Sequence, residues 1–345
     1  MNPTHQTILD AVIRKAEQIC PEALDLIAIY GSCATGDTYE KSDLDLMILI
    51  NDPKGYGLCE CFVLDDVRVG YDLYCTTWEM LEWDAQCGHA QLSKLLDSKI
   101  VYERDPASMK RLEDLRAKAR TLLSSEQRIA LAKGCLDNAK TAYADCFLSE
   151  KLSSVRLNAG MVIHNLLGAV MLHNGQYFHR GVKRTFEELA GLNLPFPMEE
   201  LILSVVRGNT TEEIRNALTA LMRSVQQYLQ RPSEKSLPTR ENLTGTYEEM
   251  FSNWRNKVFE AADNGDLFSS FMNMGSCQLM ISEITSTVEV PEMDLMGSFD
   301  PEDLNANVEA FDDMLSQFAD IYRKAGFAPK IYESVEAFRK AYIGE

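Results

Sequence analysis

The feature that most constrains the fold is the stretch 27–49, in which two apolar runs are separated by a short polar loop. The first run ends at Gly31, and the second opens at Asp43. Because successive side chains of a strand point to opposite faces, Asp43 and Asp45 share one face of a predicted strand over 43–50. Two neighbouring carboxylates beside a glycine turn favour a site for a divalent metal that carries a polyphosphate.

Length and composition indicate a globular protein. The 345 residues suffice for two ordinary domains, and 46% apolar with 25% charged residues is typical of a soluble protein. No run of about 18 or more apolar residues predicts a membrane span. The N-terminus has neither the basic nor the apolar region of a secretory signal. We therefore expect a cytoplasmic protein without a membrane partner.

The nine cysteines are scattered without paired spacing. A zinc site of Cys59, Cys61, Cys75 and His89 is conceivable, but its spacing matches no common zinc finger or ribbon. Reduced, partly buried thiols are the favoured interpretation.

The charge balance argues against a nucleic-acid partner. The chain has 34 basic and 52 acidic residues, a net charge of −18. Proteins that bind DNA or RNA gain most of their affinity by neutralising phosphates with Lys and Arg. A surface this acidic repels a nucleic acid on average, and it is compatible with a small-molecule partner.

The order of patterns along the chain favours an α+β class. Up to residue 105 short strands mix with helices, and two strands form a predicted hairpin around Asp65-Asp66. Beyond residue 106 apolar residues recur at helical spacing, with long helices that include 246–263 and 301–325. The predicted organisation is a small mixed β-sheet domain over 1–105 and an all-helical bundle domain over 106–345.

Residues of the opening stretch suit phosphoryl chemistry, in which a protein chiefly positions a triphosphate and offsets its charge with metal ions. Asp43 and Asp45 are the predicted ligands of two magnesium ions, since Mg²⁺ prefers carboxylate and phosphate oxygens. Gly31 allows close approach of the backbone to phosphates, and Ser32 offers a hydroxyl and N–H groups at a helix start. Ser42 is predicted to cap or brace the carboxylate strand.

A third carboxylate is expected on a neighbouring strand that faces the same cleft. Asp72 is the best candidate, because it lies on the polar side of an alternation with Val69, Tyr71 and Leu73. It could serve as a metal ligand or as a general base toward the acceptor hydroxyl.

These residues carry a family resemblance. Gly31-Ser32, Gly36-Asp37 and the run 42–46 resemble the signature of the polymerase-beta-type nucleotidyltransferases, closest to the aminoglycoside and minimal nucleotidyltransferase branch. The resemblance covers roughly residues 5–105, and Asp72 matches the third acid of the family by position. It implies a small sheet backed by helices, a helical second domain that closes the cleft, and an NTP co-substrate.

The resulting prediction is a magnesium-dependent enzyme that moves a nucleoside monophosphate from an NTP, with ATP the expected one, to a small hydroxyl-bearing acceptor. Pyrophosphate is released, and an aminoglycoside-like acceptor is one option. Two alternatives stay open: nucleotidylation of a protein, and a nucleotide-binding regulatory or antitoxin-like module without turnover. A homodimer is one option for assembly. The candidate cations for the triphosphate are Lys133, Lys140, Lys183 and Arg184.

Overall fold

A computed structural model describes residues 3–230 and 235–344. The chain forms two compact units, Met1–Gln230 and Arg231–Glu345. The named strands lie in the first unit. The regular secondary structure in the described part of the second unit is helical, apart from an isolated bridge between Ser236 and Val288. The predicted boundary near 105 falls inside the first unit and stays a prediction.

The strands are β1 (Leu24–Ile29), β2 (Leu46–Ile50), β3 (Glu60–Leu64), β4 (Val69–Leu73), β5 (Cys75–Thr77) and β6 (Lys99–Glu103). The α-helices of the first unit are α1 (Pro3–Ile19), α2 (Gly31–Thr35), α3 (Trp78–Asp84), α4 (Ser93–Leu96), α5 (Pro106–Ser124), α6 (Gln127–Leu148), α7 (Leu152–His173), α8 (Thr185–Ala190), α9 (Met198–Arg207) and α10 (Thr211–Leu229). Short 3₁₀ helices cover Pro53–Leu58 and Val182–Arg184.

Four strands form a mixed sheet in the order β5-β2-β1-β6. β1 is antiparallel to β2 and β6, and β2 is parallel to β5. Every residue of β1 and β2 is buried, because apolar cores cover both faces of the sheet. Met47 and Leu49 pack into a core shared with the helices that follow, and Ile48 packs into a core shared with α1 and the hairpin. The predicted fold class is confirmed.

The predicted strand over 43–50 is shorter in the structure. β2 begins at Leu46, which pairs with Ile29, the last residue of β1. The N–H of Tyr30 still donates to the carbonyl of Asp45 at 3.1 Å. Gly31 then turns the chain with φ of +61°, so pairing ends and Asp43 lies in the irregular segment before the strand.

The predicted hairpin is confirmed as the antiparallel pair β3–β4, in which Cys61 lies opposite Asp72. Val69, Tyr71 and Leu73 are buried and Asp72 is exposed, as the alternation predicts. The hairpin therefore presents Asp72 on its open face.

The helices after the sheet complete the first unit. α6 and α7 pack along each other, and their buried residues join one core with those of the sheet, α9 and α10. By length and composition α7 is the one described helix that could cross a membrane, and half of its most apolar stretch is buried inside the protein. A core helix of a soluble protein has the same features.

The second unit contains α11 (Arg240–Leu243), α12 (Thr246–Met250), α13 (Asn256–Asn264), α14 (Leu267–Thr287), α15 (Leu304–Lys324) and α16 (Val335–Ile343). The predicted helix over 246–263 is interrupted by a π-helical turn, Phe251–Arg255, that brings Arg255 to Asp312 at 2.7 Å. The predicted helix over 301–325 starts at Leu304 with Asp303 as its cap. The carboxylate of Asp300 instead accepts from two backbone N–H groups in the turn before it.

Candidate active site

The centre of the site is the contact between the Asp45 carboxylate and the backbone of Gly31. A Cβ atom at Gly31 would lie 2.0 Å from Oδ2 and 2.8 Å from Cγ of Asp45. The backbone N–H of Ser32 donates to the same carboxylate. Only glycine fits here, because any side chain would both strain the positive φ and displace Asp45.

Three carboxylates share the electrostatic field of this site. Burial, followed by the charges of Asp43 and Asp72, raises the pKa of Asp45 to about 6. Burial and the same carboxylates raise the pKa of Tyr30 to about 12. Negative charge at this point is therefore poorly balanced by the protein, as expected where a bound cation supplies the missing positive charge.

The donor set fits a hard divalent cation such as Mg²⁺, since it consists of carboxylate oxygens. Asp43 and Asp45 come from the segment before β2, and Asp72 comes from β4. In the described part of the chain, no group of three or more His, Cys, Asp or Glu side chains is placed to hold a metal ion. The roles of Asp43 and Asp45 as metal ligands, and of Asp72 as a third ligand or base, stay predictions.

The residues predicted to bind the nucleotide already have contacts within the loop. The N–H of Ser32 is directed at Asp45, and the Ser42 hydroxyl accepts from the N–H of Tyr39 at 2.9 Å. Gly36 ends α2 in the left-handed conformation. Ser42 thus closes the loop before the carboxylates, and nucleotide binding by Gly31, Ser32 and Ser42 stays a prediction.

Two of the predicted cations reach this loop. Arg184 donates Nε and Nη2 to the two carboxylate oxygens of Asp37, at 2.8 and 2.7 Å. The Lys183 ammonium donates to the carbonyl of Asp37 at 2.9 Å. These hydrogen bonds hold the pKa of Asp37 well below its usual range. The two side chains therefore hold the loop directly after the Gly36 turn, and their charges are balanced by Asp37 and Glu187.

The other two predicted cations lie elsewhere in the first unit. Lys133 and Lys140 line a cavity of about 210 Å³ together with residues of α7 and α10. Lys140 also pairs with Asp137 on its own helix. The two lysines share one face, as their spacing predicts.

Sequence reasoning missed His5 and Cys33, which line a cavity of about 510 Å³ together with Tyr39 and Ser42. The thiol of Cys33 lies 3.6 Å from Nδ1 of His5 and 3.4 Å from the carbonyl oxygen of Asp43. Burial lowers the pKa of His5 and raises that of Cys33. The only sequence signal was the place of His5 at the start of an amphipathic helix.

Two family models match regions of this chain. Residues 11–102 match the model of the nucleotidyltransferase domain, and residues 110–235 match that of the KNTase C-terminal domain. Among solved structures, a nucleotidyltransferase-like protein from Exiguobacterium sibiricum 255-15 is similar at 16% identity, covering 81% of this chain and 91% of that chain, with a TM-score of 0.36. No curated protein matches the chain significantly.

A mixed sheet with paired aspartates beside a glycine turn, matched by the nucleotidyltransferase domain model, defines a nucleotidyltransferase. The resemblance noted from the sequence is confirmed. The chain belongs to the polymerase-beta superfamily, in which its two matched regions are of the kanamycin nucleotidyltransferase type.

Proposed function

We propose that this enzyme transfers a nucleoside monophosphate from ATP or another NTP to a hydroxyl of a small molecule, with Mg²⁺ as cofactor. The observation that carries the proposal is the Asp45 carboxylate, packed on Gly31 with its pKa raised by burial, Asp43 and Asp72. A cation bound there would offset the charge of the triphosphate and of the departing pyrophosphate.

The chain's own residues have distinct tasks in this proposal. Asp43 and Asp45 hold the metal-bound triphosphate, and the turn at Gly31 brings backbone close to it. Asp72, on the open face of β4, completes the metal site or accepts the proton of the attacking hydroxyl. Lys183 and Arg184 hold the loop after the turn through their ion pairs with Asp37.

A small acceptor is supported by the charge of the protein. A net charge of −18 opposes binding of a nucleic acid. It suits a neutral or cationic molecule, and an aminoglycoside-like compound is one such acceptor.

The test is incubation with Mg²⁺ and ATP labelled at the α-phosphate, with a panel of aminoglycosides, monosaccharides and nucleosides. Label on a small molecule, lost in Asp45→Asn, supports the proposal. Label on protein would assign the enzyme to protein nucleotidylation instead. Absence of turnover with every NTP and acceptor would favour a regulatory nucleotide-binding module.

A further inference from the structure

A second polar cavity lies in the first unit, outside the residues described so far. Its volume is about 570 Å³, within the size range of small-molecule sites. It is formed by the end of α7, the segment after it, and residues of α8 and just beyond it. Its polar lining includes Asn174, Gln176, Tyr177, His179, Glu188 and Asn193.

His179 is held in a fixed orientation at this cavity. Its Nδ1 lies 2.8 Å from Oδ2 of Asp97, whose Oδ1 accepts from the Tyr177 hydroxyl at 2.7 Å. Nδ1 of His179 is therefore occupied by the Asp97 carboxylate, and Nε2 is the ring nitrogen left to hydrogen-bond a ligand. Glu188 fixes the backbone by accepting from the N–H of His179. One hydrogen bond to the ring and one to the backbone N–H therefore fix the orientation of His179.

Two further side chains have spare hydrogen-bonding capacity. In the part of the chain that the structure describes, no hydrogen-bond partner is found for the side-chain amides of Gln176 and Asn193. Asn193 also has φ of +34°, an uncommon value outside glycine. Each amide can both donate and accept, so the cavity presents mixed polar groups suited to hydroxyls and amines.

Asp97, which orients His179 at the cavity, lies at the same edge of the sheet as the aspartates. Asp97 is two residues before Lys99, which pairs with Ile29, and Gly31 is two residues after Ile29. Lys99 also donates its ammonium to the carbonyl of Ala34 in α2. The segment that carries His179 continues to Arg184, which contacts Asp37. One segment thus connects the cavity with the loop of the candidate active site.

We propose that this cavity is the acceptor subsite and that Nε2 of His179 hydrogen-bonds a hydroxyl group of the acceptor molecule. Gln176 and Asn193 bind other polar groups of the same molecule. The carboxylates of Asp97 and Glu188 border the cavity, so the occupant is a neutral or cationic polyhydroxyl compound. Asp97 is a positioning residue, which acts through His179. The inference rests on the proposed nucleotidyl transfer.

The experiment measures steady-state kinetics with the acceptor that the labelled-ATP panel identifies. For His179→Asn we expect the acceptor KM to rise at least about 10-fold while the KM for ATP stays within about 2-fold. Asp97→Asn should raise the acceptor KM in the same direction but less. The matched control is His164→Asn, an exposed histidine of α7, whose acceptor KM should equal that of the wild type.

The outcomes separate this inference from the proposed function. If Asp45→Asn abolishes transfer but His179→Asn leaves the acceptor KM unchanged, the subsite assignment is wrong and the function stands. If the wild type labels no acceptor, the proposed function fails and the subsite with it. Circular dichroism checks folding, and His179→Gln replaces the Asn variant if that variant is unfolded.

Discussion

The carboxylate of Asp45 lies against the backbone of Gly31 so closely that a methyl group on Gly31 would overlap Oδ2, at 2.0 Å. This contact joins the turn after β1 to the segment before β2, two places 14 positions apart in the chain. The orientation of the Asp45 carboxylate therefore depends on the absence of a side chain at one residue.

Gly31→Ala should reduce transfer at least about 100-fold, because a displaced carboxylate can no longer place the metal-bound triphosphate. The measurement is kcat/KM for labelled ATP with the identified acceptor. The matched control is Gly265→Ala, since Gly265 has a similar φ of +65° and open space around it. That variant should lose about 1 kcal/mol of stability but no activity. Equal activities in the two variants would contradict the role of the Asp45 contact.

Asp45→Asn should abolish transfer and yet stabilise the metal-free protein above about pH 6. An acid whose pKa rises on folding, here from 3.8 to about 6, lowers stability as pH increases through that window. Discounted for the partial exposure of Asp45, the gain in unfolding free energy is about 1–2 kcal/mol at about pH 8. It should vanish below about pH 4.

The measurement is urea denaturation in EDTA at about pH 8 and at a pH below about 4. The low-pH result is the internal control, because both proteins are neutral at position 45 there. An Asn variant that is less stable than the wild type at about pH 8 would show that the carboxylate is favourably paired in the folded state.

Asp37→Asn should loosen the loop after Gly36 and raise the KM for ATP several-fold. The substitution removes the charge that holds Arg184 and Lys183. Hydrogen exchange of residues 36–42, followed by mass spectrometry, should accelerate. Because the pKa of Asp37 is held well below its usual range, the wild-type loop should stay protected through mildly acidic pH.

The control for the loop is Arg180→Ala, which removes a contact with Glu187 but none with Asp37. Exchange of residues 36–42 should be unchanged in that variant. If hydrogen exchange of residues 36–42 accelerates similarly in both variants, the effect comes from mobility of the segment after α7 and not from the loss of the Asp37 charge.

Asp25→Ala should destabilise the protein by about 3–5 kcal/mol, because it leaves the partly buried guanidinium of Arg104 without a fully buried partner. Asp25 is 4% exposed and accepts from Arg104, Asn51 and the indole of Trp78. Glu22→Ala is the control. Glu22 is a second partner of Arg104, and the side chain of Glu22 is 89% exposed. Its removal should therefore lower the free energy of unfolding by under about 1 kcal/mol. Unfolding by guanidinium chloride measures both, and equal losses would contradict the buried network.

Local patterns predicted much of the fold. The alternation of Val69, Tyr71 and Leu73 with Asp72 placed that acid on the open face of β4. The apolar run that precedes Gly31 in the sequence coincides with the end of β1. The start of β2 was predicted three residues too early, because pairing ends where β1 ends and no pattern in 43–45 shows this.

For the candidate site, the sequence by itself determined the residue types and their order: a glycine turn, two aspartates at alternate positions, and a third acid on a later strand. Tertiary structure alone decided that Asp45 packs on Gly31, that Arg184 contacts Asp37 across 147 positions, and that Asp97 orients His179 across 82. The reason is physical. Strand and helix periodicity depends on neighbouring residues, whereas contacts between distant residues depend on how the whole unit packs around its core.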